Sequence, residues 1–247
     1  TLLVGQPTPR QVHVGRSGEG RPIDAYLLGD GPLPILIIGG MHGAPELNSS
    51  AVVWEMLDAF ASSEPALQPG VALVFLPEAN PDGLADGTRE LADGVDANRN
   101  WPTADWRPET YGPGGTWLAD GGGDQPLSEP ETVALAEFVA RLQPIAVFSY
   151  HSAAGIAMGG SASDRTGLLA AYAAASGYPT SNFLAYPVTG DFAQWLDEQD
   201  IPTVEVELTD HWRSEVERNL AGVQAVLERI IVGPPDAEPD ADPDPSY

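Results

Sequence analysis

The most chemically specific stretch of the chain is residues 94–101, which read Gly-Val-Asp-Ala-Asn-Arg-Asn-Trp. It places Arg99 between Asn98 and Asn100, just before Trp101, whose ring can fix the loop. A guanidinium presents a planar fork of donors that matches both oxygens of a carboxylate at once. The pattern therefore predicts that Asn98 and Arg99 bind a substrate carboxylate. The alternative is an arginine in a surface salt bridge, which is usually weak.

Two of the four histidines follow apolar runs that are typical of buried strands. His42 comes after the run at 34–38, and His151 ends the run that begins at residue 145. Ligands of open α/β sheets collect at such strand ends. Together with Glu46, the two imidazoles form the ligand set of a catalytic zinc ion, which keeps a fourth position open for water. The chain has no cysteine for a thiolate site. The sequence therefore predicts one zinc ion bound by His42, Glu46 and His151.

The chain resembles the M14 zinc metallocarboxypeptidases over roughly residues 13–210, because five segments occur in the order seen in that family. They are Asn-Pro-Asp-Gly at 80–83, the octet at 94–101, Ser-Glu-Pro-Glu-Thr at 128–132, Ser-Tyr-His-Ser at 149–152 and Glu-Leu-Thr-Asp at 207–210. In the family, the octet corresponds to the segment that holds the substrate carboxylate. The short chain length and the residue sequences at 48–50 and 87–89 are most similar to those of bacterial murein tripeptide amidases.

The first ligand pair departs from the family pattern. The family has His-x-x-Glu, whereas Glu46 lies four residues after His42, with Pro45 immediately before it. A helix that starts after Pro45 would bring both side chains near one face, because residues three or four apart are neighbours on a helix. We therefore expect Glu46 to remain a ligand. The alternatives are a first-turn glutamate that interacts with the helix dipole, and a weakened or altered metal site.

The resemblance implies roles for four further residues. Glu207 corresponds to the general base and acid of the reaction, unless it is an ordinary edge-strand carboxylate. Glu205, one pleat deeper in the same strand, is interpreted as a structural or supporting residue, and the alternative is that it is the base. Tyr186 corresponds to the mobile tyrosine that closes over substrate, unless it is an ordinary aromatic in a turn. Arg89 corresponds to the arginine that stabilises the oxyanion, unless it only balances nearby carboxylates. Asp191 lies in the segment that lines the pocket for the released side chain, where it either attracts an amine or simply caps a helix.

Composition limits the partners. The chain has 247 residues and a formal net charge of −25, with 36 acidic residues against 11 basic residues, all arginine. Such a surplus of negative charge repels nucleic acid and anionic lipid. No apolar run reaches the roughly 20 residues that a membrane-spanning helix needs. The expected partner is a small peptide with a free C-terminal carboxylate. The sequence does not indicate an oligomeric state. The compartment also stays open, because the sequence begins at Thr1 without a start methionine and is compatible with export.

Alternating strand and helix patterns predict an α/β fold, a three-layer α/β/α sandwich with a mixed, mostly parallel sheet. A hairpin is expected near 10–30, and strands at 34–38, 71–76, 145–150 and 203–207. Helices are expected near 47–62, from Ser128 as N-cap, and at 166–176, 191–199 and 213–231. A long functional loop runs to about 127, and its glycine-rich part at 111–124 is expected to rim the pocket. Residues 1–232 are expected to form a single zinc peptidase domain, followed by an acidic, proline-rich tail at 233–247.

The function that these patterns favour is a zinc-dependent carboxypeptidase-type hydrolase of short peptides. Murein peptides cut at the γ-D-glutamyl–diaminopimelate bond are the expected substrates. Three alternatives stay open: a general metallocarboxypeptidase acting on ordinary C-termini, an acyl-amino-acid deacylase similar to aspartoacylases and desuccinylases, and a metal-free binding protein. The residue sequences at 94–101 and 128–132 are more typical of peptidases than of deacylases.

Overall fold

The computed structural model describes residues 8–63, 65–181 and 186–232. Its strands are β1 (Arg10–Arg16), β2 (Pro22–Leu28), β3 (Leu33–Ile38), β4 (Val71–Leu76), β5 (Thr110–Gly112), β6 (Thr116–Leu118), β7 (Ala146–Ser152), β8 (Ile156–Gly159) and β9 (Thr203–Leu208). Its helices are α1 (Leu47–Ala61), α2 (Pro81–Asp86), α3 (Pro130–Leu142), α4 (Ser161–Thr166), α5 (Leu168–Ser176), α6 (Phe192–Asp197) and α7 (Val216–Val232). Within the described ranges, no helix is both long and apolar enough to cross a membrane.

Seven strands form one sheet in the order β1-β2-β4-β3-β7-β9-β8. The central strands β4, β3, β7 and β9 are parallel neighbours, while β1, β2 and β8 complete the edges through antiparallel pairing. The predicted mixed, mostly parallel sheet is therefore confirmed. Because β3, β7 and β9 run in the same direction side by side, their carboxyl ends meet at one edge of the sheet.

Helices cover both faces of this sheet, which confirms the predicted three-layer architecture. Alternate residues of β3 point to opposite sides, so Ile35 and Ile37 pack in one core while Leu36 and Ile38 pack in the other. The first core is closed by α1, α5 and α7, and the second by α3 and α6. Strands that are buried on both faces read as continuous apolar runs, which explains why the central strands were predictable. All six residues of β4 are buried.

The structure differs from the sequence prediction in four places. The helix expected at 166–176 is divided into α4 and α5 at Gly167, whose φ of +70° favours glycine. Strand β8 was not predicted, and the expected long loop contains α2 and the hairpin of β5 and β6. Ser128 is not the N-cap of α3, because Glu129 holds that position. The Ser128 hydroxyl instead accepts a hydrogen bond of 2.9 Å from the Asn100 amide. The predicted tail at 233–247 lies outside the described residues.

Candidate metal centre and active site

His42, Glu46 and His151 come together at the carboxyl edge of the sheet, as the sequence predicts. Their candidate ligand atoms all lie within 4.8 Å of one another, and all three residues are buried. The His42 Nδ1 atom lies 3.0 Å from Glu46 Oε1 and 3.2 Å from His151 Nδ1. Two imidazole nitrogens and a carboxylate that face a common point in a buried pocket fit a zinc ion in both chemistry and spacing.

A turn, and not a helix, accommodates the extra residue between His42 and Glu46. Helix α1 begins at Leu47 with Glu46 at its N-cap, so His42 lies outside the helix and the expected shared helix face does not form. The chain folds back through a hydrogen bond of 2.9 Å from the Glu46 amide to the Gly43 carbonyl. The amide of Ser152, at the end of β7, donates to Glu46 Oε2 at 3.1 Å and fixes the carboxylate toward the two histidines.

Asp96 orients the first histidine, a role that the sequence argument missed. The carboxylate is 0% exposed and its Oδ1 accepts a hydrogen bond of 3.0 Å from His42 Nε2. This bond directs Nδ1, with its lone pair, toward the metal position, as carboxylates behind metal-binding histidines commonly do. The only sequence signal was an acidic residue two positions before Asn98 in the octet. On the other histidine, His151 Nε2 lies 3.2 Å from the Ser149 hydroxyl.

Arg89 lies against the metal group. Its Nη1 donates to Glu46 Oε1, and its Nε donates to Asp96 Oδ2 at 3.3 Å. Although burial opposes ionisation, the positive charges of Arg89 and His42 hold the pKa of Asp96 well below its ordinary value. Burial and Arg89 both disfavour a charged His42, but Glu46 and Asp96 outweigh them and raise the pKa of that histidine. The group is thus a tightly coupled set of buried charges around the expected cation position.

Above the metal group, a cavity of about 450 Å³ opens between the sheet edge and the surrounding loops. Its lining includes Glu46, Arg89, Tyr186 and Glu207, so a predicted metal ligand, the predicted oxyanion-stabilising arginine, the predicted mobile tyrosine and the predicted base share one space. Pro113 and Gly114 also line it, so the glycine-rich segment contributes to its wall as expected.

Glu207 stands opposite His151 in the pairing of β9 with β7. Burial raises the pKa of Glu207, while the positive charge of His151 opposes that rise. A carboxyl group with a raised pKa beside a metal site suits proton transfer in both directions. Burial likewise raises the pKa of Tyr186, against the charges of Arg99 and Arg89. The catalytic roles assigned to Glu207, Arg89 and Tyr186 stay predictions.

Asn98 and Arg99 are buried in a tight turn whose preceding residue, Asp96, accepts a hydrogen bond from the Asn98 amide. The Asn98 side chain accepts a bond of 2.9 Å from the Phe192 amide and donates one of 2.9 Å to Asp191 Oδ2. Arg99 donates to two backbone carbonyls, those of Asn98 and Tyr111. Asn98 therefore fixes the start of α6, while Arg99 is a buried cation held by its own loop, and their substrate role stays a prediction.

Asp191 occupies the N-cap of α6 and accepts a hydrogen bond of 2.8 Å from the Gln194 amide. It also lines a second cavity, together with Glu205 of β9. Asp191 therefore caps the helix, as the second of the two expectations proposed. A contribution of Asp191 to substrate selection stays a prediction.

The fold places a buried His-Glu-His group at the carboxyl edge of a mostly parallel sheet, under a cavity lined by ionisable side chains. This arrangement defines an α/β metalloprotein with a catalytic type of metal site. The chain belongs to the M14 peptidase family of zinc carboxypeptidases, whose family model matches residues 7–211. The family is zinc-dependent, and this chain retains a three-residue group for the metal.

Among known proteins, murein peptide amidase A of Escherichia coli (strain K12) is 36% identical over 155 residues, which are 58% of this chain and 59% of that protein. The crystal structure of murein-tripeptide amidase MpaA from Escherichia coli O157 has a TM-score of 0.67 at 28% identity, over 94% of this chain and 96% of that chain. Thrombin activatable fibrinolysis inhibitor has a TM-score of 0.77 at 17% identity, over 93% of this chain and 71% of that chain, a likeness of fold alone. The match spans 59% or less of the length of the curated relatives.

Proposed function

We propose that residues 1–232 form a zinc-dependent carboxypeptidase-type hydrolase of short peptides. We further propose that its substrates are murein peptides, cut at the bond between a γ-D-glutamyl residue and a terminal diaminopimelate. The observation that carries the proposal is the convergence of His42, Glu46 and His151 under a cavity that Glu207 also lines. The likeness to murein peptide amidase A supports the choice of substrate.

The side chains around the cavity fit hydrolysis of an amide bond. When bound, zinc polarises a carbonyl oxygen and makes water a better nucleophile. Glu207 accepts the proton of the attacking water and returns it to the departing amine, a cycle for which its raised pKa is suited. Arg89 brings a positive charge to the cavity wall, where negative charge develops on the carbonyl oxygen. Tyr186 lines the same cavity and limits access of solvent by closing over bound substrate.

Arg99 supplies the selectivity for a free C-terminus. Its guanidinium is buried and carries a charge that acts on Tyr186, which lines the catalytic cavity. A carboxylate that enters beside it gains a charge-assisted contact that an amide cannot replace. Asn98 keeps this loop against the start of α6, so the arginine is held in position before substrate binds.

Mass-spectrometric digestion tests the proposal against its alternatives. Purified protein with measured zinc content is incubated with murein tripeptide, with ordinary peptides of varied C-termini, and with N-acyl amino acids. Release of diaminopimelate from the tripeptide, lost in Glu207→Gln, is the expected result. Faster cleavage of ordinary peptides would favour a general carboxypeptidase, and cleavage of acyl amino acids alone would favour a deacylase. Protein that binds no zinc would favour the metal-free alternative.

A further inference from the structure

A second cavity, of about 350 Å³, lies between β8, β9 and α6. Its lining includes Met158 of β8, Glu205 of β9, and Asp191, Gln194 and Asp197 at α6. Glu205 and Glu207 project from the same face of β9, two residues apart, which corresponds to about 6.6 Å along a strand. The second cavity therefore begins one pleat away from the candidate catalytic carboxylate, and its volume lies at the lower end of the range of ligand pockets.

Glu205 is the carboxyl group of this cavity that lacks a full set of partners. Only 7% of the residue is exposed, and among the described residues no group donates a hydrogen bond to its Oε2. The other two carboxylates are satisfied within the fold. Asp191 accepts bonds from Gln194 and Asn98, and Asp197 accepts a bond of 2.8 Å from the Ala162 amide.

An orphaned buried carboxyl oxygen is costly and rare in folded proteins, so it calls for an explanation. A contact made only when a ligand is bound supplies that explanation.

The electric field in the cavity favours a cation. Burial raises the pKa of Glu205 well above its ordinary value, and the negative charges of Asp191 and Glu207 raise it further. Arg99 opposes this rise from the side of the candidate carboxylate-binding loop. A positively charged group that enters the cavity would relieve the repulsion among the carboxylates and give the Glu205 carboxyl group a hydrogen-bond partner.

We propose that Glu205 selects substrates whose released C-terminal residue carries a primary amine at the end of its side chain. The inference rests on the proposed function, because it takes Arg99 to hold the terminal carboxylate while the side chain extends toward Glu205. A single unsatisfied oxygen matches the compact charge of an ammonium better than the flat fork of a guanidinium, which requires two acceptors. Lysine, ornithine and the distal amine of diaminopimelate meet this requirement, whereas arginine and norleucine do not.

The test compares kcat/KM for peptides that differ only in ending with lysine, arginine or norleucine. Wild-type protein should prefer lysine to norleucine by about tenfold or more, and Glu205→Gln should bring that ratio close to one. Asp200→Asn removes the same charge from an exposed side chain that does not line the cavity, so the ratio should change by less than about threefold because solvent screens this charge. A wild-type ratio near one, or a ratio that survives Glu205→Gln, would overturn the proposal.

A binding measurement separates this inference from the proposed function. Calorimetric titration with free lysine and free norleucine reports the cavity without turnover. Lysine binding that is lost in Glu205→Gln, in protein that hydrolyses no peptide, would support the role of Glu205 and refute the hydrolase. Equal hydrolysis of lysine and norleucine peptides, with equal binding of both amino acids, would leave the hydrolase standing and refute the role of Glu205. The wild-type comparison remains decisive even where the variant fails to fold.

Discussion

Replacing Asp96 by asparagine should weaken the metal site while leaving its ligands intact. Asp96 is fully buried and accepts hydrogen bonds from His42 Nε2 at 3.0 Å and from Arg89 Nε at 3.3 Å. Asparagine keeps the shape but loses the charge and turns one acceptor into a donor. In Asp96→Asn, either His42 or Arg89 therefore faces an NH₂ group. The imidazole loses the partner that makes Nδ1 a better ligand.

The magnitude follows from these contacts. Loss of a carboxylate behind a metal-binding histidine typically costs about 10–100-fold in metal affinity. This is about 1.4–2.7 kcal/mol of binding free energy. Arg89 keeps its contact with Glu46, so the guanidinium is not left without a partner. We therefore expect the free energy of unfolding without metal to fall by about 1–3 kcal/mol, the cost of a lost buried hydrogen bond to a charged group.

Asp82→Asn is the matched control. Asp82 is also fully buried and pairs with an arginine, since it accepts hydrogen bonds of 2.6 Å from Arg21 and from Ser17. It contacts none of the residues of the metal group. Competition for zinc against a chromophoric chelator gives the affinity, and urea unfolding gives the stability. If Asp96→Asn binds zinc within about threefold of wild type, or if Asp82→Asn weakens binding equally, the argument for Asp96 is refuted.

Three further outcomes follow from the buried charges of the site. Glu207→Gln should lower kcat by about 10²–10⁴-fold with zinc content unchanged, because the variant lacks the proton acceptor. Full activity in the variant would show that Glu207 is not the base. Arg99→Ala should cost roughly 2–5 kcal/mol in kcat/KM, and C-terminally amidated peptides should be poor wild-type substrates; efficient cleavage of amidated peptides would contradict the carboxylate contact. Burial raises the pKa of Glu205 in the folded state, so the protonated carboxyl group contributes fully to the free energy of unfolding below the unfolded-state pKa of about 4.3. This contribution is lost as the pH rises through the folded-state pKa. Glu205→Gln should therefore increase the free energy of unfolding at neutral pH and leave it nearly unchanged near about pH 4. Urea titrations at both pH values measure this difference, and a variant that is less stable than wild type at neutral pH would contradict the prediction.

The sequence by itself determined the central strands and pointed to the three residues of the candidate metal group. Residues 35–38 of β3 and all of β4 at 71–76 are buried on both faces of the sheet, so almost every residue had to be apolar. Such apolar runs can be recognised in the sequence without knowledge of the neighbouring strands. His42 and His151 were recognisable because they stand at the ends of two such runs, where parallel strands bring polar groups together. Both signals are local, because each is contained in a few consecutive residues.

The tertiary structure alone decided how these residues are supported. Asp96 lies 54 positions from His42 along the chain, and no local pattern reveals that the two share a hydrogen bond. The turn that closes between Gly43 and Glu46, and the short edge strand β8, likewise depend on what packs around them. Glu205 looked like a supporting residue of an alternating strand, and only the folded chain reveals a buried carboxyl oxygen without a donor. Periodicity reports which face of an element is buried, whereas hydrogen-bond satisfaction depends on groups that folding brings together from distant parts of the chain.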